Sequence, residues 1–162
     1  RHPILVSSCL LGLDTRYNGI SKKNETVINF LSEMESTIIP ICPEQMAGLP
    51  TPRPATEFSE GDGVTLLAGT GGALVNSSRE RMDTCFIKGA EQALEVARMT
   101  NVKYAILKER SPSCGVDQVY RSGEPVNGAG VTTAILEMNG ISVFSENDLE
   151  RLKASLAARE DI

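Results

Sequence analysis

Four short apolar runs, with helical periodicity between successive pairs, constrain the fold of this chain more than any other feature. The runs are PILVSSC (Pro3–Cys9), TIIPIC (Thr37–Cys42), KYAILKE (Lys103–Glu109) and GISVFSE (Gly140–Glu146), each bounded by polar or turn residues. Segments this short and this apolar are expected to be strands buried on both faces. Between them, residues 22–36 place Val27, Phe30, Leu31 and Met34 at helical spacing, and residues 79–99 do the same with Phe86, Ala90, Ala93, Leu94 and Ala97. A third helix is expected over Gly130–Met138. A fourth is expected after Ser145, whose hydroxyl would cap it with Asp148 three residues on. Strand and helix therefore alternate. The expected architecture is a single α/β domain over residues 1–162, with a mainly parallel sheet and helices on both faces, a Rossmann-like three-layer arrangement. The Gly-rich stretch GDGVTLLAGTGGALV (Gly61–Val75) interrupts the alternation. Val64–Leu67 and Ala73–Val75 read there as two brief strands around a glycine turn, a small hairpin or lid.

Length and charge narrow the function classes. A chain of 162 residues with 41% hydrophobic content can build one core but not two comfortable ones. Its 16 Lys and Arg against 21 Asp and Glu, a formal charge of -5, disfavour a long nucleic acid as the main ligand and favour a small molecule. The apolar start HPILVSSCLLGLD is broken by serines and an aspartate, short of the roughly 20 apolar residues of a membrane span and unlike a signal-peptide core. A cytoplasmic protein with no membrane association is expected.

The cysteines carry the chemistry. There are four, Cys9, Cys42, Cys85 and Cys114, with no C-x-x-C pair among them, so zinc-ribbon and thioredoxin patterns are excluded by spacing. A chain with a good core has little need of disulfides. Cys85 lies inside a helical stretch beside Phe86 and is expected to pack as a small hydrophobe. Cys9, Cys42 and Cys114 stand at or just beyond the C-terminal ends of expected strands, the edge where open parallel sheets bind ligands. Each begins a loop stiffened by glycine or proline: CLLGLDTRYNG, CPEQMAGLPTPRP and CGVDQVYRSG. Three thiolates converging from separate loops suit either a zinc ion with an open position or a 4Fe–4S cluster with one iron lacking a protein ligand. His2 is the one histidine; a Cys/His zinc site would need it, whereas a terminal histidine is usually solvated.

The segments SSCLLG and RYNG, CPEQMAGLPTPRP, ILKERSPSCG and GAGVTTAILEMNGISVFSE, in this order and over nearly the whole chain, resemble the thiouracil desulfidase family. The resemblance implies an oxygen-sensitive 4Fe–4S cluster held by Cys9, Cys42 and Cys114, and hydrolytic removal of sulfur from a thiolated uracil. It also implies Glu44 and Ser111 as the catalytic polar groups. Many relatives have a further cysteine where this chain has Thr15, which is therefore no ligand here, and residues 61–78 form a longer segment than is usual in the family.

That chemistry is physically coherent. A thiocarbonyl sulfur is soft and iron is a Lewis acid, so an open iron can bind the sulfur and polarise the carbon for attack by water, without electron transfer. Glu44 is placed to act as general base if burial raises its pKa; the competing role is a cap or a pairing with Arg53. Ser111 is a hydrogen-bond donor to the pyrimidine or the water, or else a member of an ordinary Ser-Pro turn. Asp14, Arg16, Tyr17 and Asn18 are candidates to line the substrate pocket, although RYNG alone would serve as a turn. The glycines of GAGVT (Gly128–Thr132) open a helix whose N–H groups can meet a carbonyl oxygen or an anion. Two other classes remain open. A sulfur-transfer or thiolation protein would use the same three cysteines but should carry a nucleotide-activating GxxxxGK[ST] loop, which the sequence lacks. A zinc-stabilised, non-enzymatic binding domain needs the thiolates alone, and would be colourless where an iron–sulfur protein is brown.

Overall fold

Residues 2–160 are described by a computed structural model of the chain. The first sheet consists of β1 (Pro3–Ser7), β2 (Thr37–Ile41), β5 (Tyr104–Leu107) and β8 (Ser142–Ser145), in the order β2-β1-β5-β8 with every pairing parallel. Alternate residues of these strands enter different cores, as the period of two requires. Ile4, Val6, Tyr104, Ile106 and Phe144 pack with α1 (Glu25–Glu33) and α6 (Leu149–Glu160); Leu5, Ala105, Leu107 and Val143 pack with α4 (Asp83–Met99) and α5 (Val131–Met138). Both faces of the sheet are thus covered, and the three-layer expectation is met. Burial on two sides explains why β1, β5 and β8 are so apolar. The expectation fails for β2, which lies at the edge of the sheet and is largely exposed, with Ile38 at 42% and only Ile41 buried.

Beyond α4 and α5 lies a second sheet that the sequence did not announce. It is formed by β3 (Thr56–Glu60), β4 (Ala73–Asn76), β6 (Gln118–Arg121) and β7 (Glu124–Asn127), in the order β4-β3-β6-β7. The β3–β4 and β6–β7 pairs are antiparallel, and β3 meets β6 in parallel at Phe58 and Arg121. Helix α4 serves both sheets: Ala93, Leu94 and Ala97 face the first, while Phe86 and Ala90 pack with Phe58, Leu74 and Val119 of the second.

Three local expectations are corrected. Val64–Leu67 is not a strand but part of α3 (Gly63–Ala68), because Asp62 and Thr65 form a reciprocal capping box that nucleates a helical turn. The strand partner of β4 is β3, so the Gly-rich segment is a helix and one strand of a larger sheet rather than an isolated hairpin. Ser145 does not cap α6. Its Oγ accepts the N–H of Asn147 and its carbonyl that of Asp148, making a turn, and the helix begins at Leu149. The cap of α1 is Asn24, whose side chain accepts the Val27 N–H. Among the described residues no helix is long and apolar enough to cross a membrane.

Candidate functional site

Strand order explains how three distant cysteines meet. β2, β1 and β5 are neighbours in the first sheet, and each delivers one cysteine past its C-terminal end. Cys9 sits in a 3-10 turn (Ser8–Leu11) directly after β1; Cys42 follows β2 and precedes the short helix α2 (Pro43–Met46); Cys114 lies in the turn after β5. All three line one cavity of about 520 Å³, shared with Arg16, Tyr17, Glu44, Arg53, Lys108 and Ser111. The second sheet closes another wall with Thr56, Glu57 and Tyr120. The four cysteines are free thiols. Cys85 is on α4 as expected, but it is half-buried against the second sheet's core rather than enclosed, and it is not among the residues lining the cavity.

Each cysteine loop is held by donors and acceptors that belong to the loop itself or to its neighbours. For Cys114 the Ser111 Oγ accepts the N–H groups of Ser113 and Cys114 at 3.1 and 3.0 Å. Its own hydroxyl proton is left to donate, and Ser111 lines the cavity. From the other side, the first N–H groups of α5 donate to this loop: Val131 to the Pro112 carbonyl at 3.0 Å and Thr132 to Ser113 at 2.8 Å. The GAGVT helix start therefore spends its N–H groups on the cysteine loop, not on a bound ligand. Gly130 is required there, since a Cβ would lie 2.4 Å from the Ser113 carbonyl carbon. Glu109, buried at 8% exposure, completes the loop, its Oε1 accepting the N–H groups of Arg110, Val116, Asp117 and Gln118.

Arg53 is the corresponding hub for Cys42. It is 8% exposed, and its guanidinium donates to Glu44 Oε1 at 2.8 Å, to the Pro50 and Thr15 carbonyls and to Thr51 Oγ1, with Nη2 4.0 Å from the Cys42 sulfur. The Cys42 thiol donates to the Thr15 carbonyl at 3.6 Å. Glu44 joins two loops, because Ser113 Oγ donates to its second oxygen at 3.3 Å. The expected pairing of Glu44 with Arg53 is thus present, and it aligns a carboxylate on the cavity wall with lone pairs still unused.

The sequence candidates around RYNG divide. Arg16 and Tyr17 line the cavity, with the Arg16 guanidinium 5.6 Å from the Tyr17 ring centroid. Asp14 and Asn18 are exposed and are not among the lining residues. Asn18 instead accepts the Ile20 N–H in a tight turn, the local role that RYNG can fill without a ligand. Thr15 lines the cavity and bonds Ser8 Oγ at 2.7 Å. Lys108, Glu109, Glu57 and Tyr120 were not picked out from the sequence. The first two lie within ILKERSPSCG, but their shared partner Glu146 is remote in the chain; the last two ride on strands with almost no apolar signal.

Burial dominates the electrostatics of the thiols. It pushes Cys9 up to about 11, with the Lys108 ammonium as the largest opposing influence, and it raises Cys114 despite a hydrogen bond with Ser7. Burial favours the protonated thiols, so a metal must displace their protons to bind. Among the described residues, no three His, Cys, Asp or Glu side chains close on a point where one metal ion would sit.

The chain matches the 2-thiouracil desulfurase family over residues 4–148, which includes every cavity residue named above. It belongs to that family. A relative from Bacillus subtilis (strain 168), named as the uncharacterized protein YbbK, is 40% identical over 149 residues, covering 90% of this chain and 97% of that protein. The solved structure of a 4Fe–4S-dependent thiouracil desulfidase, TudS, superposes with a TM-score of 0.84 at 36% identity, covering 98% of this chain and 99% of that one.

Proposed function

We propose that this desulfurase-family protein is a 4Fe–4S-dependent desulfidase that hydrolyses the C=S bond of a thiolated uracil such as 2-thiouracil to C=O, releasing sulfide. The observation that carries the reading is the convergence of Cys9, Cys42 and Cys114, from three adjacent strand ends, on one cavity that also presents Glu44 and Ser111. The donor set fits the cofactor. Cys9, Cys42 and Cys114 all line the cavity, the number of thiolates that leaves one iron of a 4Fe–4S cluster without a protein ligand. The 4Fe–4S dependence of the structurally similar desulfidase supports the same choice.

When bound through the three thiolates, the cluster supplies a soft Lewis-acid iron without a protein ligand, suited to a thiocarbonyl sulfur. The chain supplies the rest. Arg53 and Ser113 fix the Glu44 carboxylate so that its remaining lone pairs accept a proton from the attacking water. Ser111, its Oγ already accepting two N–H bonds, donates its proton to the pyrimidine or the water. Tyr17 and Tyr120, both in the cavity lining, offer aromatic surface to a planar ring. The balance is one water consumed, its oxygen retained in the pyrimidine carbonyl and its two protons leaving with the sulfide.

Glu44→Gln and Ser111→Ala separate binding from chemistry. Each variant should keep its iron yet lose about a hundredfold or more in conversion of 2-thiouracil to uracil, the contribution expected of a positioned acid or base. Wild-type turnover by either variant with its cluster intact would remove that residue from the mechanism. Loss of iron from Glu44→Gln would make the carboxylate a ligand.

A further inference from the structure

The proposed chemistry leaves one buried ion pair without a role. Lys108 follows β5 and Glu146 follows β8, the adjacent strand, and their side chains meet at 3.1 Å with only 21% and 10% exposure. The Lys108 ammonium also donates to the Glu109 carbonyl at 2.9 Å, while the other Glu146 oxygen accepts the Glu109 N–H at 2.8 Å. An ammonium has three donors, and these two acceptors leave one unused. Lys108 is at the same time a wall of the cysteine cavity, and its backbone N–H is bound by Ser7, two residues before Cys9. A partly desolvated charge held by a carboxylate and a carbonyl stays in one place, which a surface lysine does not.

Resting on the desulfidase reading above, we propose that Lys108, held by Glu146, is a positioning residue that fixes a positive charge on the wall of the cysteine cavity to offset the negative charge gathered by the three-thiolate cluster. Three thiolates on a cluster concentrate negative charge at one wall of the cavity, where a cation held by partly buried partners acts on it. The charge around an iron–sulfur cluster is one of the factors that set its reduction potential, so the proposal has a readout independent of turnover.

The experiment is a redox titration of the anaerobically reconstituted full chain, followed by electron paramagnetic resonance, for wild type, Lys108→Met, Lys108→Arg and Glu146→Gln. Lys108→Met keeps the apolar stem and removes the charge, and its cluster should have a more negative midpoint potential. Glu146→Gln keeps the shape and the lysine but removes the opposing charge, so its midpoint should move the other way. Lys108→Arg should stay near wild type. Opposite shifts are the signature, because a structural role would make both uncharged variants fail alike. Equal midpoints in Lys108→Met and wild type, each with full iron, would overturn the assignment. If Lys108→Met does not retain iron, the Glu146→Gln arm decides: a positive shift sustains the proposal and an unchanged or negative midpoint overturns it. A wild-type protein that takes up no iron and sulfide would sink the desulfidase reading and this inference together, whereas a loaded wild type with unshifted variants sinks the inference alone.

Discussion

Glu109→Ala should do more damage than any other single carboxylate change in this protein. The carboxylate is 8% exposed, and one of its oxygens collects the N–H groups of Arg110, Val116, Asp117 and Gln118 at 3.2, 2.8, 3.0 and 3.0 Å. A single oxygen has two strong acceptor directions, so the four donors share it and their energies do not add. Counted as two charge-assisted bonds of about 1.5–3 kcal/mol each, the interaction costs about 3–6 kcal/mol to remove. Water entering the space left by the side chain offsets part of this, and about 3 kcal/mol is the expected loss. For a chain of this size that lowers the melting temperature by about 6–12 °C. Glu109→Gln retains an acceptor oxygen without the charge and should lose about half as much. The loop released is the one that carries Cys114, so iron content after anaerobic reconstitution should fall with stability. Thermal unfolding by circular dichroism and iron analysis of the same samples give both numbers. A Glu109→Ala protein melting within about 2 °C of wild type with full iron would refute the view that this carboxylate organises the Cys114 loop.

Cys9→Ala, Cys42→Ala and Cys114→Ala should each abolish iron binding while Cys85→Ala retains it, and a Cys85 variant without iron beside a Cys42 variant with it would reverse the ligand assignment. Gly89→Ala tests how α4 holds α2: helix propensity alone predicts a gain of about 1 kcal/mol, but a Cβ there lies 2.2 Å from the Pro43 carbonyl oxygen. Overpacking of about 1–3 kcal/mol should win, lowering the melting temperature and loosening Cys42, and a raised melting temperature would contradict it. The buried Cys9 thiol, raised from 9.0 to about 11, favours the folded state while it stays protonated. That contribution is complete below pH 9 and is lost as the pH rises towards about 11, a fall of about 2–3 kcal/mol for the metal-free protein. Urea unfolding across this range should show a shallower fall for Cys9→Ser, and parallel curves would count against the burial argument.

The parts of the fold legible in the sequence are those buried on two sides. β1, β5 and β8 stand out because packed helices require apolar residues on both faces, while the exposed edge strand β2 stands out only by its isoleucines; this legibility put Cys9, Cys42 and Cys114 at strand ends. Apart from β4, whose Ala73–Val75 run is legible as a strand, the second sheet gives no signal, for the converse reason. β3 reads TEFSE and β6 reads QVYR, and each contributes one fully buried apolar residue, Phe58 and Val119. A single buried position in four or five residues leaves no period to detect. In VTLL of α3 the apolar run favoured a strand, but the Asp62–Thr65 capping box settled it as helix. Around the site, Glu44 and Arg53 share one loop and their pairing was anticipated. Lys108 and Glu109 act through Glu146 and residues 116–118, contacts set by strand order and loop return. Asp14 and Asn18 were drawn in by proximity to Cys9, whereas the turn that presents Arg16 and Tyr17 to the cavity leaves them outside.

The most direct test of the account is to reconstitute the wild-type protein with iron and sulfide without oxygen, count both per chain, and follow 2-thiouracil in the same sample. The account predicts a brown protein with about four irons and four sulfides per chain, uracil and sulfide appearing in equal amounts as thiouracil disappears, and no conversion once the iron is removed by a chelator. A colourless protein that takes up zinc in place of the cluster, or a fully loaded cluster that leaves thiouracil untouched, would contradict it.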